Sequence, residues 1–251
     1  MTNTPSIEVV EETGSTNADL LDRLRSGETL REGYWLRADR QTSGRGRLAR
    51  HWESPKGNLH CSTVVNLGVS GPAPATLSFA ASLAVFDAVK RCLFDHTPMM
   101  LKWPNDLMVS EAKIAGILLE RYGNSVVVGI GINVSHAPDI PNRKTTHIAF
   151  ENGKFANGPQ SVLETLVPEF AKRLKQWREC PLSEVLLDWA FRGHRFNDRL
   201  TVTTSDGKAT YGAYCGITGD GGLRFKPLGG HECVIHAGDV SLLWEDEEVE
   251  T

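Results

Sequence analysis

Two strand-length, β-branched runs at 113–121 and 126–134 stand on either side of Gly123-Asn124, and this arrangement constrains the fold more than any other feature of the sequence. A tight loop of residues that tolerate positive φ joins antiparallel neighbours, whereas a parallel pair needs a crossover of roughly a dozen residues or more. The chain must therefore build an antiparallel sheet. Further strand signals fall at 7–12, 34–38 and 59–67. Another, at 101–109, is interrupted by Trp103-Pro104-Asn105-Asp106, because proline cannot donate to a ladder. Helical spacing marks a segment starting near Ser15, with Leu20, Leu21 and Leu24 on one face and Gly27 beyond its end. It also marks a long Ala-rich segment at 73–94 and two more at 159–177 and 181–191. Residues 41–58 are dense in Gly, Ser, Arg and Pro, and 135–146 is polar with two prolines, so both read as loops. After Asn197 short β-branched segments alternate with Asp-Gly and Gly-Gly turns, the texture of a compact meander or small barrel. The expected fold is α+β. A mixed, largely antiparallel sheet flanked by helices occupies 1–195, and a small β-barrel-like domain occupies 196–251, ending in a frayed acidic tail at 245–251.

Composition narrows the function by exclusion. The formal net charge is −4, with 27 basic against 31 acidic residues, so the overall balance does not favour nucleic acid and any anionic ligand must meet a local basic cluster. No apolar run approaches the roughly 20 residues that cross a bilayer, and the first residues lack the basic and apolar regions of a secretory signal. Five scattered cysteines form no CxxC pair, which places the chain in a reducing, cytoplasmic setting.

Five stretches carry chemistry. Gly44-Arg45-Gly46-Arg47 combines close backbone approach with forked donors suited to phosphate or carboxylate. Lys102-Trp103-Pro104-Asn105-Asp106 clusters three polar side chains at one kink. In 113–120 a lysine opens an apolar strand, and strict alternation puts Lys113 on the side of Ala115 and Ile117, with Gly116 leaving room for a ligand. Gly129-Ile130-Gly131-Ile132-Asn133 offers either a flat glycine floor for a planar ligand or space for a neighbouring bulky side chain, with Asn133 able to read an amide or base edge. Ser15-Thr16-Asn17 sits at a helix start, where Thr16 and Asp19 fit a capping box. His231, Cys233 and His236 imitate a zinc set, but on a regular strand 236 faces away from the other two, so no metal cage is assigned.

In this order the stretches, together with Gln41 and Trp52, resemble the catalytic domain of the biotin–protein ligase family, and the match spans nearly the whole chain. The resemblance implies that Ser15, Thr16, Asn17 and Gln41 hydrogen-bond biotin's ureido ring, with Gly116 and Gly129 beside it. It implies that Gly44, Arg45, Gly46 and Arg47 close over the ligand, that Lys113 contacts the carboxylate–phosphate region, and that Trp52, Lys102, Asn105 and Asn133 lie near the nucleotide. ATP, Mg²⁺ with its phosphates, biotin as substrate and a biotin carboxyl carrier domain follow as expected partners, with the chain a monomer or a homodimer. Members often carry a glycine where this chain has Ala49, so the loop's closed form is expected to differ locally. Some place an arginine where this chain has Leu243-Trp244, and no nucleotide contact is assigned there. The pattern begins within the first twenty residues, so a short form without a DNA-binding module is expected.

The implied chemistry is ATP-dependent activation of a carboxylate, then transfer to a lysine. Arg47 and Lys113 are the expected charge stabilisers, and Asp106 is a base or orienting group for the amine. Two rivals stay open. One is lipoate attachment, although the glycine-rich run followed by His-Asp of that group is missing. The other is a silent biotin or nucleotide sensor.

Overall fold

A computed structural model describes residues 5–242, apart from 69, 142, 205, 206 and 237. The tail at 245–251 and Leu243-Trp244 lie outside the described residues. In chain order the elements are β1 (Ser6–Thr13), α1 (Thr16–Arg25), β2 (Tyr34–Gln41), β3 (Leu59–Asn66), α2 (Leu77–Lys90), β4 (Met99–Lys102), β5 (Asp106–Val109), β6 (Ala112–Tyr122), β7 (Ser125–Ile132) and α3 (Ile148–Glu151). There follow α4 (Pro159–Glu179), α5 (Leu182–Arg192), β8 (Arg199–Thr203), β9 (Ala209–Ile217), β10 (Leu223–Pro227), β11 (Cys233–Ile235) and β12 (Asp239–Leu242). The predicted Ala-rich helix starts at Leu77 rather than 73, because Pro74 opens a short 3-10 turn ahead of it.

The first seven strands form one sheet in the order β1-β2-β3-β7-β6-β5-β4, in which only the β1–β2 pair is parallel. β6 and β7 are the hairpin read from Gly123, which sits at φ +55°. Alternation along the strands divides the sheet's two faces. Val126, Val128, Ile130 and Ile132 of β7 face the main core with α2 and α4, while Val127 joins Leu36, Val64, Leu20 and Leu21 under α1. The interruption at 103–105 is sharper than a bulge. β4 and β5 pair antiparallel, so the chain reverses there through a cis Trp103-Pro104 peptide.

Strands β8–β12 make a second, antiparallel sheet ordered β11-β10-β9-β8-β12, open at its ends rather than closed into a barrel. Leu200, Val202, Tyr214, Leu223, Phe225 and Val240 from this sheet join the same hydrophobic cluster as α2 and α5. Gly221 comes so close to Phe79 that a Cβ would lie 2.5 Å from its ring. Among the described residues no helix is long and apolar enough to cross a membrane.

Candidate active site

A cavity of about 500 Å³ opens on the α1 face of the large sheet. Its position follows from side-chain size. Where β3 and β7 present Val64 and Val127, α1 covers them; further along, Ser62 opposes Gly129 and His60 opposes Gly131, and the cover ends. The glycines do not form a bare floor. A Cβ at Gly129 would lie 2.3 Å from Asn17 Oδ1, and one at Gly131 would lie 2.5 Å from the Trp52 ring, so these positions seat protein side chains.

One end of the cavity is neutral and saturated with hydrogen bonds. Ser15 is the N-cap of α1, but its side chain makes no capping bond, and Asp19 instead accepts a hydrogen bond from Thr13 Oγ1 at 2.6 Å. The expected capping box is therefore not formed. Thr16 turns its backbone N–H to Gln41 Oε1 at 2.9 Å and its hydroxyl to Ser62 Oγ at 2.7 Å. Ser62 Oγ donates to Asn17 Oδ1 at 2.6 Å, and Gln41 Nε2 donates to Ser54 Oγ at 2.9 Å. Asn17 Nδ2 reaches Glu120 Oε2 at 2.8 Å. Beside this end His60 donates from Nε2 to the Pro55 carbonyl at 3.1 Å, and its Nδ1 has no partner among the described residues. Burial pushes its pKa down to about 4, so the imidazole is neutral.

The other end is charged. Strict alternation would have put Lys113 with Ala115 and Ile117, yet Lys113 faces the cavity with Gly116 and Leu118, while Ile114, Ala115 and Ile117 enter the core. A β-bulge is the reason. Met108 pairs with Lys113 but Leu107 pairs with Ala115, so the extra residue, Ile114, shifts the phase of β6. Lys113 Nζ then sits 2.6 Å from Asp106 Oδ1 and 5.2 Å from the centroid of the Trp52 ring. Burial alone would raise the Asp106 pKa, but Lys113 and Lys102 outweigh it and hold the carboxyl below the usual carboxylate range. Such a carboxylate is a weak base, so the geometry favours the orienting role for Asp106. Lys102 lies 3.7 Å from Asp106 Oδ2, behind it and off the cavity wall, and burial pushes its ammonium pKa down.

The glycine-arginine loop lies across this end. Arg45 pairs with Glu120 at 3.0 Å, and Arg47 Nη1 donates to the Gly238 carbonyl at 3.3 Å. Burial lowers the Arg47 pKa, with Asp239 and Asp106 opposing the shift. Gly46 lines the cavity, whereas Gly44 is buried behind it, its carbonyl accepting from Trp52 N at 2.9 Å. The departure at Ala49 leaves a mark: Leu48 and Ala49 both hold φ +55°, a conformation costing about 1–2 kcal/mol for a residue with a Cβ. The Trp52 indole N–H is buried and has no partner among the described residues. Asn105 and Asn133 line the cavity, but their Nδ2 groups already donate to Ile117 O at 2.6 Å and Thr146 O at 3.0 Å.

Several cavity residues escaped the sequence reading. Asp239, on the second sheet, pairs with Arg50 at 2.5 Å and Arg143 at 3.1 Å, and all three line the cavity. No local pattern announces a carboxylate that meets partners from two distant loops. Ser62 and His60 were detectable in principle, as the polar alternates of the strand at 59–67. Glu120 joins the cavity face only once the bulge at Ile114 is known.

A neutral, hydrogen-bonded end joined to a cationic end defines a site that can accept a small molecule with a polar head beside an anionic group. The Biotin/lipoate A/B protein ligase family model matches residues 9–136. The biotin–[acetyl-CoA-carboxylase] ligase of Mycobacterium tuberculosis is 35% identical over 93% of this chain and 88% of its own length. That of Paracoccus denitrificans is 32% identical over 91% of this chain and 97% of its own. Among solved structures, the biotin protein ligase of Aquifex aeolicus in complex with biotin and ATP superimposes with a TM-score of 0.79 at 27% identity, covering 95% of this chain and 98% of that one. The chain belongs to the biotin/lipoate A/B protein ligase family.

Proposed function

We infer that the protein is a biotin–protein ligase, and the observation that carries the reading is the polarity gradient of the cavity described above. Biotin's carboxylate attacks the α-phosphate of ATP, releasing pyrophosphate and forming biotinyl-adenylate. The ε-amine of an acceptor lysine then attacks the carbonyl of this mixed anhydride, forming an amide and releasing AMP.

In this reading Ser15, Thr16, Asn17 and Gln41 hold the ureido ring, with Gly129 placing Asn17. Gly116, on the cavity wall, seats Lys113 and Trp52, whose atoms lie 3.2 Å from where its Cβ would be, rather than leaving open space. The ring exchanges for hydrogen bonds that Thr16 and Gln41 now make with each other. Arg45, Arg47 and Lys113 offset the repulsion between two anions by positioning and charge. Trp52, Asn105 and Asn133 line the nucleotide's side, and Lys102 acts on it from behind Asp106. Magnesium enters as the companion of the nucleotide's phosphates and adds charge neutralisation there. Among the described residues no three His, Cys, Asp or Glu side chains converge as a cage for it.

The acceptor in this reading is a lysine on a biotin carboxyl carrier domain. The chain divides near 195–196 into a catalytic domain and a small β-domain, whose Gly238 and Asp239 close the charged end. A cytoplasmic setting accords with ATP as substrate and five unpaired cysteines.

The test is pyrophosphate release from ATP and Mg²⁺ with biotin or lipoate as the added acid. Release that depends on biotin is expected. Release with lipoate alone transfers the protein to the other branch of the family, and release with neither acid overturns the enzymatic reading.

A further inference from the structure

The hydrogen bonds at the neutral end do not stop there. They run from one end of the glycine-arginine loop to the other, through every side chain read as holding the ureido ring except Ser15. From the loop's far end, Ser54 Oγ donates to the Trp52 carbonyl at 3.1 Å and accepts from Gln41 Nε2 at 2.9 Å. Gln41 Oε1 accepts from Thr16 N at 2.9 Å. Thr16 and Ser62 share a contact of 2.7 Å, and Ser62 Oγ donates to Asn17 Oδ1 at 2.6 Å. The path then leaves the neutral groups: Asn17 Nδ2 donates to one oxygen of Glu120 at 2.8 Å, and Arg45 Nη2, at the loop's near end, donates to the other at 3.0 Å.

Proton directions follow from the two termini, since a carbonyl and a carboxylate only accept. Because Ser62 spends its proton on Asn17, Thr16 donates to Ser62 at 2.7 Å, with Gln41 Oε1 a second, longer acceptor at 3.2 Å, and that branch points toward Glu120. The carboxylate also settles the Asn17 amide, because the atom facing it must be the donating nitrogen. Oδ1 is thereby turned toward Ser62, and the amide has one orientation. Glu120 reaches this place because it alternates in phase with Gly116 and Leu118 of the cavity wall, and the bulge at Ile114 brings Lys113 to the same face.

We propose that Glu120 is a positioning residue that couples the ureido-binding triplet to Arg45 of the covering loop, one carboxylate oxygen serving each. A ligand that changes the hydrogen bonding of Asn17 changes the hold on Arg45, and the reverse. The proposal deepens the biotin-ligase reading and rests on it.

The substitution that isolates this role is Glu120→Gln, which keeps the shape but replaces one acceptor oxygen with a donating amide. Asn17 and Arg45 both donate, so glutamine cannot satisfy both in the same way. Direct calorimetric titration of the unsubstituted protein with biotin comes first, since absence of binding there removes the reading and the proposal together. With binding established, kcat/KM for biotin in pyrophosphate release is measured for Asn17→Ser, Arg45→Gln and their combination, each with Glu120 and with Gln at 120. With Glu120 present the two changes should depart from additivity by about fivefold, within the span seen for residues in one network. With Gln at 120 they should be additive within about twofold, the ordinary tolerance for independent sites. Glu120→Gln alone should raise the biotin KM and lower kcat by less than Arg45→Gln does, because Arg45 stays in place but loses its fixed partner. Additivity with Glu120 present, or the same non-additivity after its replacement, overturns the proposal while leaving the biotin-ligase reading in place.

Discussion

At one end of the cavity Thr16, Asn17, Gln41, Ser54 and Ser62 are neutral and already bonded to one another. At the other, Arg47, Lys102, Lys113 and Asp106 carry charge into partial burial, the two lysines meeting the Asp106 carboxylate and Arg47 the Gly238 carbonyl. The first arrangement costs little to maintain, because each of these five side chains has a partner. The second is tense, since burial lowers the affinity of Arg47 and Lys102 for protons and only nearby carboxylates oppose it. A preorganised neutral end selects a substrate by shape and hydrogen bonding, whereas an anion-hungry end gains most when a polyphosphate arrives. The difference assigns recognition to one end and chemistry to the other.

The largest expected effect breaks the charged end. Lys113→Met removes the ammonium at 2.6 Å from Asp106 and should lower biotin-dependent pyrophosphate release by about 10²–10³-fold, as loss of a charge-stabilising donor does. A loss under tenfold would move the chemistry away from this end.

Each end also stands on a buried neutral imidazole, and this gives a pH prediction. His60 backs the neutral end, and His194 accepts from the backbone N–H of Trp103, fixing the hairpin that carries Lys102 and Asp106. Burial pushes their pKa values down to about 4 and about 3. Above the ordinary histidine value both are neutral, folded and unfolded alike, and add no pH dependence. Below it the unfolded chain takes up protons that the folded chain refuses, so stability falls with pH by up to about 1.4 kcal/mol per unit for each histidine. Urea midpoints between neutral pH and the low end of that window check this, and His194→Gln should remove about half of the slope. A flat profile would contradict it.

The neutral end is sharpened by Gly129→Ala. The new methyl would lie 2.3 Å from Asn17 Oδ1 and must displace it, so biotin binding by calorimetry should weaken by about tenfold, as overpacking of a filled site does. The smallest effect is expected where the second sheet meets the charged end. Asp239→Asn loosens contacts to Arg50 and Arg143, which are about half-exposed, so the ATP KM should change only about two- to fivefold. A change confined to the biotin KM would reverse the assignment of the two ends.

The two ends also differ in how far they could be read from sequence. Ser15-Thr16-Asn17 and Gln41 were legible as residues, and the hairpin at Gly123 gave the sheet its antiparallel character, because turn chemistry and alternation are local. Three features were not legible. The face on which Lys113 lies turns on a bulge that only the pairing with Met108 reveals. The glycines at 129 and 131 offered two readings, and only the packed positions of Asn17 and Trp52 choose between them. Asp239 meets Arg50 and Arg143 across a large sequence separation, for which charge pattern holds no signal.

The most direct test of the central claim is transfer itself. The protein is incubated with ATP, Mg²⁺, an isolated biotin carboxyl carrier domain, and biotin and lipoate in equal amounts, and the carrier's intact mass is followed. The two-ended cavity predicts one biotinyl group on one lysine and no lipoyl adduct. A lipoyl adduct, or an unmodified carrier in the presence of steady pyrophosphate release, would contradict it.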